Sequence, residues 1–254
     1  MEQSKEAKVI IKRLLDLANK SYKQNMYTFT DFLGEGDLSL FYEYIREFDF
    51  VKYTVYGGMD DTERAMIRFG DEEELGYIEE FPIACLKVSP VLAKFSDELS
   101  HRDYLGSLMN LGIERSVIGD IIIKEKNAFI FCKSDIKEYI MDNLYKIKHT
   151  SVKLEEVKEA FGDIEREPAY KEIIVASLRT DVVVASVYNK SRSQVLVLFR
   201  EHKVFVNGRL YENNSGILKA NDMVSVRGCG RFRYEGIVRT TTKGKNIIKV
   251  DIYK

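Results

Sequence analysis

The sequence predicts an α+β fold made of three small domains, and three observations carry that reading. A chain of 254 residues, 45% apolar and 31% charged, suffices for one large domain or for two to three small ones. Helical and alternating apolar patterns follow one another in mixed order along it. The charge is also divided: from Ile173 to Lys254 fifteen Lys and Arg face six Asp and Glu, a net of +9, whereas the residues before carry 24 basic against 34 acidic side chains, a net of −10. A strongly basic C-terminal third of this kind is suited to a polyanion, and the acidic remainder to another task.

The first domain is expected over 1–74. Glu2 to Lys20 places Val9, Ile10, Leu14, Leu15, Leu17 and Ala18 on one helical stripe, and Asp37 is a candidate N-cap for a second helix carrying Leu40, Phe41, Tyr44, Ile45 and Phe48. Extended segments Phe50–Tyr56 and Ala65–Phe69 flank Gly57-Gly58, and the acidic run Asp71–Glu74 reads as a solvated boundary loop.

The second domain, 75–155, reads as a strand in Pro82–Val88, a helix over Asp97–Leu111, and strands at Asp120–Lys124 and Ala128–Cys132. A helix over Ser134–Ile147 and a strand at Ser151–Leu154 complete it. The order βαββαβ is the split plan of ferredoxin-like domains, which many RNA-recognition modules share. Residues 156–172, with Gly162 and Pro168, read as a linker. In the third domain, 173–254, Ser177 can cap a helix to about Tyr188 and Ser191 another through Arg200. Strands follow at Val204–Val206, Met223–Arg227, Arg233–Thr240 and Ile247–Tyr253, so two helices should lie on a small β-sheet.

Several function classes are disfavoured. No stretch approaches the roughly 18 consecutive apolar residues of a membrane span, and the N-terminus lacks the apolar core and small-residue cleavage site of a secretion signal. Cys85, Cys132 and Cys229 are odd in number and widely spaced, which points to a reducing cytoplasm and away from a disulfide framework. His101, His149 and His202 have no partner at a ligand spacing, so no metal is expected. His101-Arg102-Asp103 imitates a kinase catalytic loop, but Leu108 stands where the asparagine belongs, and a helix first turn is the better reading. Gly228-Cys229-Gly230 lacks the third glycine of a dinucleotide fingerprint and reads as a strand-ending bend. Neither a catalytic constellation nor a cofactor is expected.

Two features point toward RNA. Phe129 and Phe131 share one face of a strand where RNA-recognition folds carry stacking aromatics, yet the preceding glycine and basic residue are missing, and core packing is read ahead of stacking. The second feature is a basic ridge. Two short helices on a small sheet would bring Arg179, Arg192 and Lys203 near one edge, with Ser191 capping a helix whose N-terminal N–H groups face a phosphate.

The series Ser177-Leu-Arg-Thr-Asp181, Tyr188-Asn-Lys-Ser-Arg-Ser193, Lys203-Val-Phe-Val-Asn-Gly208 and Asn221-Asp-Met-Val-Ser-Val-Arg227 resembles the S4 RNA-binding domain over about 177–228. Val195 stands where that family commonly has alanine, Leu196 and Val197 where it has polar residues, and His202 where it has a turn glycine. Over nearly the whole chain, Leu99-Ser-His-Arg-Asp-Tyr-Leu-Gly106, Asn110-Leu-Gly-Ile113, Ile118-Gly-Asp-Ile121, Ser177-Leu-Arg179 and Ser225-Val-Arg-Gly-Cys-Gly-Arg-Phe232 resemble the bacterial YlmH family. Cys229 and Thr180 replace an aromatic and a leucine usual there. That resemblance implies an S4 domain behind two small N-terminal domains and a cytoplasmic, monomeric, non-enzymatic protein that binds rRNA of the large ribosomal subunit and tRNA. It further implies a role in ribosome-associated quality control of stalled nascent chains, alongside other quality-control factors. The expected RNA contacts are Arg179, Ser191, Arg192, Ser193, Lys203, Asn207, Arg227, Arg231 and Arg233. Two alternatives stand beside it: an RNA-modifying enzyme of pseudouridine synthase or methyltransferase type with an appended S4 domain, and a cell-division-associated protein using the acidic N-terminal surface.

Overall fold

A computed structural model describes residues 5–60, 62–157 and 169–253. They group into two compact units, one within Met1–Glu165 and the other within Arg166–Lys254.

The first unit opens with α1 (Lys5–Gln24), whose stripe buries Leu14 and Ala18 as expected but Ile11 in place of Val9, which is 68% exposed; Glu2–Ser4 lie outside the described residues. Strand β1 (Thr28–Phe29) follows, then α2 (Glu35–Glu43). Gly34, not Asp37, is the N-cap: the Asp37 N–H already donates to the Gly34 carbonyl, so its carboxylate sits inside the first turn, where the helix dipole favours it. Strands β2 (Tyr53–Tyr56) and β3 (Met66–Phe69) pair antiparallel in a sheet of order β1-β3-β2. β2 begins later than the sequence suggests because the Val51 N–H closes a turn on the Phe48 carbonyl. The acidic run is no loop but the one-turn helix α3 (Glu72–Leu75), capped by the Asp71 carboxylate and ended by Gly76 at φ 76°.

Strands β4 (Ile83–Pro90), β5 (Ile118–Lys124), β6 (Asn127–Lys133), β7 (Lys146–Ile147) and β8 (Thr150–Glu156) make an antiparallel sheet of order β5-β6-β4-β8-β7. Apart from the short edge strand β7, this is the split βαβ order that the sequence predicts. Helices α4 (His101–Asn110) and α5 (Lys137–Asn143) cover one face, burying Tyr104, Leu108 and Ile140 against Leu86, Val88 and Ile130. α4 starts four residues later than read from sequence because Ser100 and Asp103 form a capping box, while Asp97 accepts from the His149 N–H and the Thr150 hydroxyl. α5 stops short of Ile147 because Lys146 and Ile147 turn back, through Lys148 at φ 50°, to pair with Thr150 and Ser151.

The two sheets of this unit are not independent. Phe32, after β1, and Met66 of β3 pack with Cys85, Ile122, Phe129 and Phe131 of the second sheet, so the regions read as domains 1–74 and 75–155 share a core. Their contact is close enough that a Cβ on Gly119 would lie 2.7 Å from the Phe32 ring, and one on Gly58, at φ 104°, would run into the Phe131 ring.

The second unit is a six-stranded sheet of order β11-β10-β12-β13-β14-β9, with two helices on one face. Its members are β9 (Ala169–Val175), α6 (Thr180–Val187), α7 (Arg192–Arg200), β10 (Val204–Val206), β11 (Arg209–Leu210), β12 (Asp222–Val226), β13 (Gly230–Thr240) and β14 (Asn246–Tyr253). Strand β9 corrects the linker expectation: residues 169–172 pair with β14, and Ile173 and Val175 are buried while Ile174 between them is exposed. The rest of that linker, 158–168, lies outside the described residues. α6 also starts later than a Ser177 cap would give. The Ser177 hydroxyl accepts from the Arg179 N–H, and the N–H groups of Thr180 and Asp181 are taken by the carbonyls of Gly216 and Asn214.

Ser191 caps α7 as the sequence predicts: its hydroxyl accepts from the Gln194 N–H, and the Gln194 side chain accepts from the Ser191 N–H. Ser191→Ala is expected to lower the stability of this unit by about 1 kcal/mol, read as a shift of the denaturation midpoint. A midpoint equal to wild type would show that the cap contributes nothing.

Candidate nucleic-acid interface

The starts of α6 and α7 meet at one carboxylate. Asp181, in the first turn of α6, is fully buried. Its Oδ1 accepts from Arg179 Nε at 3.1 Å and its Oδ2 from Arg179 Nη2 at 2.9 Å, a bidentate pair, while Arg192 Nε donates to the same Oδ2 at 3.3 Å. One buried negative charge thus fixes two guanidinium groups, one from each helix start. The Arg192 side chain remains 64% exposed, against 35% for Arg179, and Ser191 and Ser193 hydroxyls lie 3.0 Å apart beside it. The exposed Arg192 guanidinium and the Ser191 and Ser193 hydroxyls stand together at the start of α7, donors of the kind that bind a phosphate.

The remaining expected contacts do not join this cluster. Lys203 lies beyond the C-terminal end of α7, about 13 Å along the helix from Arg192, and pairs with Glu201 at 2.7 Å, so the single ridge is corrected. The Arg227 N–H donates to the Lys203 carbonyl, which makes these two neighbours, and the Arg227 guanidinium lies 4.9 Å from the Phe205 ring centroid. Asn207, at φ 51°, spends its side chain bracing its turn: its amide donates to Asp222 Oδ1 and its oxygen accepts from the Met223 N–H. Arg231 is only 5% exposed, over the Tyr253 ring, which withdraws it from the exposed contacts. Arg233 is half-buried and faces Asp251 across β13 and β14. Phe199, Phe205, Phe232, Tyr234 and Tyr253 are all buried, so none of these rings is offered for stacking on a base.

The other sequence motifs are structural. Asp103 closes the α4 capping box and pairs with Lys148 at 2.8 Å; the Lys148 ammonium and then the Ser100 donors hold its carboxyl down at about 2. Burial pushes the thiols of Cys85 and Cys132 up to about 12, which keeps them protonated at neutral pH. Gly228 and Gly230, at φ 82° and 107°, make the bend between β12 and β13. Among the described residues no cluster of three or more His, Cys, Asp or Glu is arranged to hold a metal ion.

Comparison with known proteins bears on the first unit as well as the second. Residues 78–161 match the family model described as "Putative RNA-binding domain in YlmH". The chain is 26% identical over 245 residues to the "Ribosome-associated protein quality control protein P2" of Bacillus subtilis, covering 95% of this chain and 93% of that one. Residues 78–161 are thus a YlmH-type segment. A solved structure, "Cell division protein ylmH from Streptococcus pneumoniae", superposes at a TM-score of 0.52 with 19% identity, over 64% of this chain and 96% of that chain, a likeness of fold.

The YlmH-type segment therefore contains the ferredoxin-like sheet, and there the structure closes the surface that RNA-recognition folds use for stacking. Phe131 is fully buried and Phe129 nearly so, both packed against Phe32 and Met66, in keeping with the core reading of this pair. Sequence reasoning placed every expected RNA contact in the C-terminal third and read Phe129 and Phe131 as core ahead of stacking. The signal it missed in the YlmH-type segment is period-two alternation, which puts several lysines on one face of that sheet.

Proposed function

We propose that this protein is a non-enzymatic RNA-binding factor that acts on the large ribosomal subunit, contacting rRNA beside a bound tRNA, in quality control of stalled nascent chains. It works as a monomer in the cytoplasm and meets other quality-control factors on the ribosome. The observation that carries the reading is the Arg179–Asp181–Arg192 arrangement, in which a buried carboxylate orients two guanidinium groups, the half-buried Arg179 and the exposed Arg192, within a unit of high positive charge. The printed descriptions of the matched family and of the Bacillus subtilis relative support the RNA and ribosome parts. The acidic N-terminal two-thirds repels polyanions except where a shaped site admits the basic surface, so geometry would provide the specificity.

Binding of the full-length protein to purified large ribosomal subunits, followed by sedimentation, tests this. Phosphate contacts make the affinity fall steeply, on the order of 10-fold or more between about 50 and 200 mM salt. Salt-independent binding, absence of binding, or a nucleotide modified after incubation with the protein would each overturn the reading.

A further inference from the structure

Among the described residues, the outer face of the ferredoxin-like sheet is only half covered. Alternation assigns its residues: Ala84, Leu86 and Val88 of β4 face the helices, so Cys85, Lys87 and Ser89 face outward, as do Ile122 and Lys124 of β5 and Asn127, Phe129 and Phe131 of β6. On β8, Val152 and Leu154 pack toward the helices and Ser151, Lys153 and Glu155 face outward. Lys146 of β7 lies opposite Ser151 and shares that face.

Cross-strand register sorts these residues into rows. Phe131 stands opposite Cys85, and Ile122 opposite Phe129, which is opposite Lys87; the aromatic and aliphatic members of these rows are buried beneath Phe32 and Met66. Among the described residues nothing covers the next row. It runs Lys124–Asn127 across β5 and β6 and Ser89–Lys153 across β4 and β8, and continues through Ser151 to Lys146 at the β7 edge. Lys124, Lys146 and Lys153 are exposed, while Lys87, at the margin, pairs with Glu155 at 3.0 Å. At about 4.8 Å per strand, the strip from Lys124 to Lys146 spans roughly 19 Å, wide enough to meet several phosphates.

We infer that this strip, Lys124, Lys146 and Lys153 with the polar Asn127, Ser89 and Ser151 between them, is a second RNA-contact surface, one that grips the backbone of structured RNA. The inference rests on the RNA-binding reading above and adds a site to it. The lysines are the complement of a phosphate backbone, and the segment carrying them is the one matched to an RNA-binding description. The aromatic side chains that alternation places on this face, Phe129 and Phe131, are buried, so the surface suits a folded RNA met by shape and charge and not a splayed single strand stacked on rings. Packing of the first sheet over the other rows is what turns a stacking platform into a charged strip.

The test uses the full chain carrying Lys124→Gln, Lys146→Gln and Lys153→Gln together, with a hairpin RNA of about 20 base pairs as probe. The expected result is a loss of affinity on the order of 10- to 100-fold near physiological salt and a decrease of about 2 to 3 in the log–log salt slope. The thermal transition should be unchanged, since all three side chains are exposed. The matching triple Lys→Arg variant should keep the wild-type slope; if it loses binding as the Gln variant does, the effect is not one of backbone charge and the inference fails. An unchanged affinity and slope in the Gln variant would also overturn it, and if Arg192→Ala still weakens binding in the same assay, the RNA-binding reading survives without this surface. If neither set of substitutions alters RNA binding, both fall.

Discussion

Arg64→Ala is expected to destabilise the N-terminal unit by about 3–5 kcal/mol, well beyond the effect of losing a single helix cap. The Arg64 guanidinium joins the two sheets of that unit: Nε donates to the Ile118 carbonyl at 3.0 Å, and Nη2 to the carbonyls of Phe32 at 2.6 Å and Arg115 at 3.2 Å. The backbone N–H groups of Glu63 and Arg64 meanwhile donate to the two oxygens of buried Asp120. Burial lowers the pKa of Arg64, with the Asp120 charge opposing, and brings that of Arg115 down to about 10, with the nearby Arg64 charge adding to the fall. Alanine would take a charged donor from the carbonyls of Phe32, Arg115 and Ile118, of which Ile118 keeps Arg115 Nη1 at 2.6 Å, and a positive charge from beside Asp120. Arg64→Lys should rescue little, because a single ammonium cannot reproduce a planar fork reaching three acceptors. Equilibrium denaturation followed by circular dichroism measures both variants. A midpoint shift no greater than that of an exposed substitution such as Lys20→Ala would show that the joint is incidental.

Asp181→Ala is expected to weaken RNA binding by about 10-fold, although it removes a negative charge from a basic surface. Electrostatics alone gives the opposite sign, which makes the variant informative. With the carboxylate gone, Arg179 and Arg192 lose the acceptor that fixes them at the two helix starts, and ordering them on RNA then costs side-chain entropy. The C-terminal unit should also lose roughly 2–4 kcal/mol, since a buried, hydrogen-bonded group is replaced by a void. Arg192→Ala separates the two effects. Asp181 keeps both bonds from Arg179, so the stability cost should be no more than about 1 kcal/mol, while RNA affinity falls on the order of 10-fold and the salt slope by about 1. If Asp181→Ala binds RNA more tightly than wild type at a temperature where both are folded, the carboxylate does not position the arginines for a phosphate.

Much of this protein was determined by local pattern. The α1 helix, the Ser191 cap and the βαββαβ order are properties of a few neighbouring residues, and they appear in the fold as the sequence predicts, although Ile11 and not Val9 lies on the buried stripe of α1. Charge segregation and the Arg-x-Asp and Ser-Arg-Ser spacings likewise located the Arg179 and Arg192 cluster. What the tertiary structure alone decided depends on distant pairings. Strand β9 reads as a polar linker because only one of its faces is buried, and its partner β14 lies far along the chain, with Ala169 paired to Ile252 and Val175 to Asn246. Arg231 looks like Arg227 in sequence, but it lies on a strand face covered by Tyr253, and Lys203 and Arg192 are neighbours in sequence that a helix holds apart. The covered and uncovered rows of the ferredoxin-like sheet differ only in whether Phe32 and Met66 reach them. Alternation specifies which residues share a face, but long-range packing specifies which part of that face meets water, and that second choice separates buried Phe131 from the exposed lysine strip.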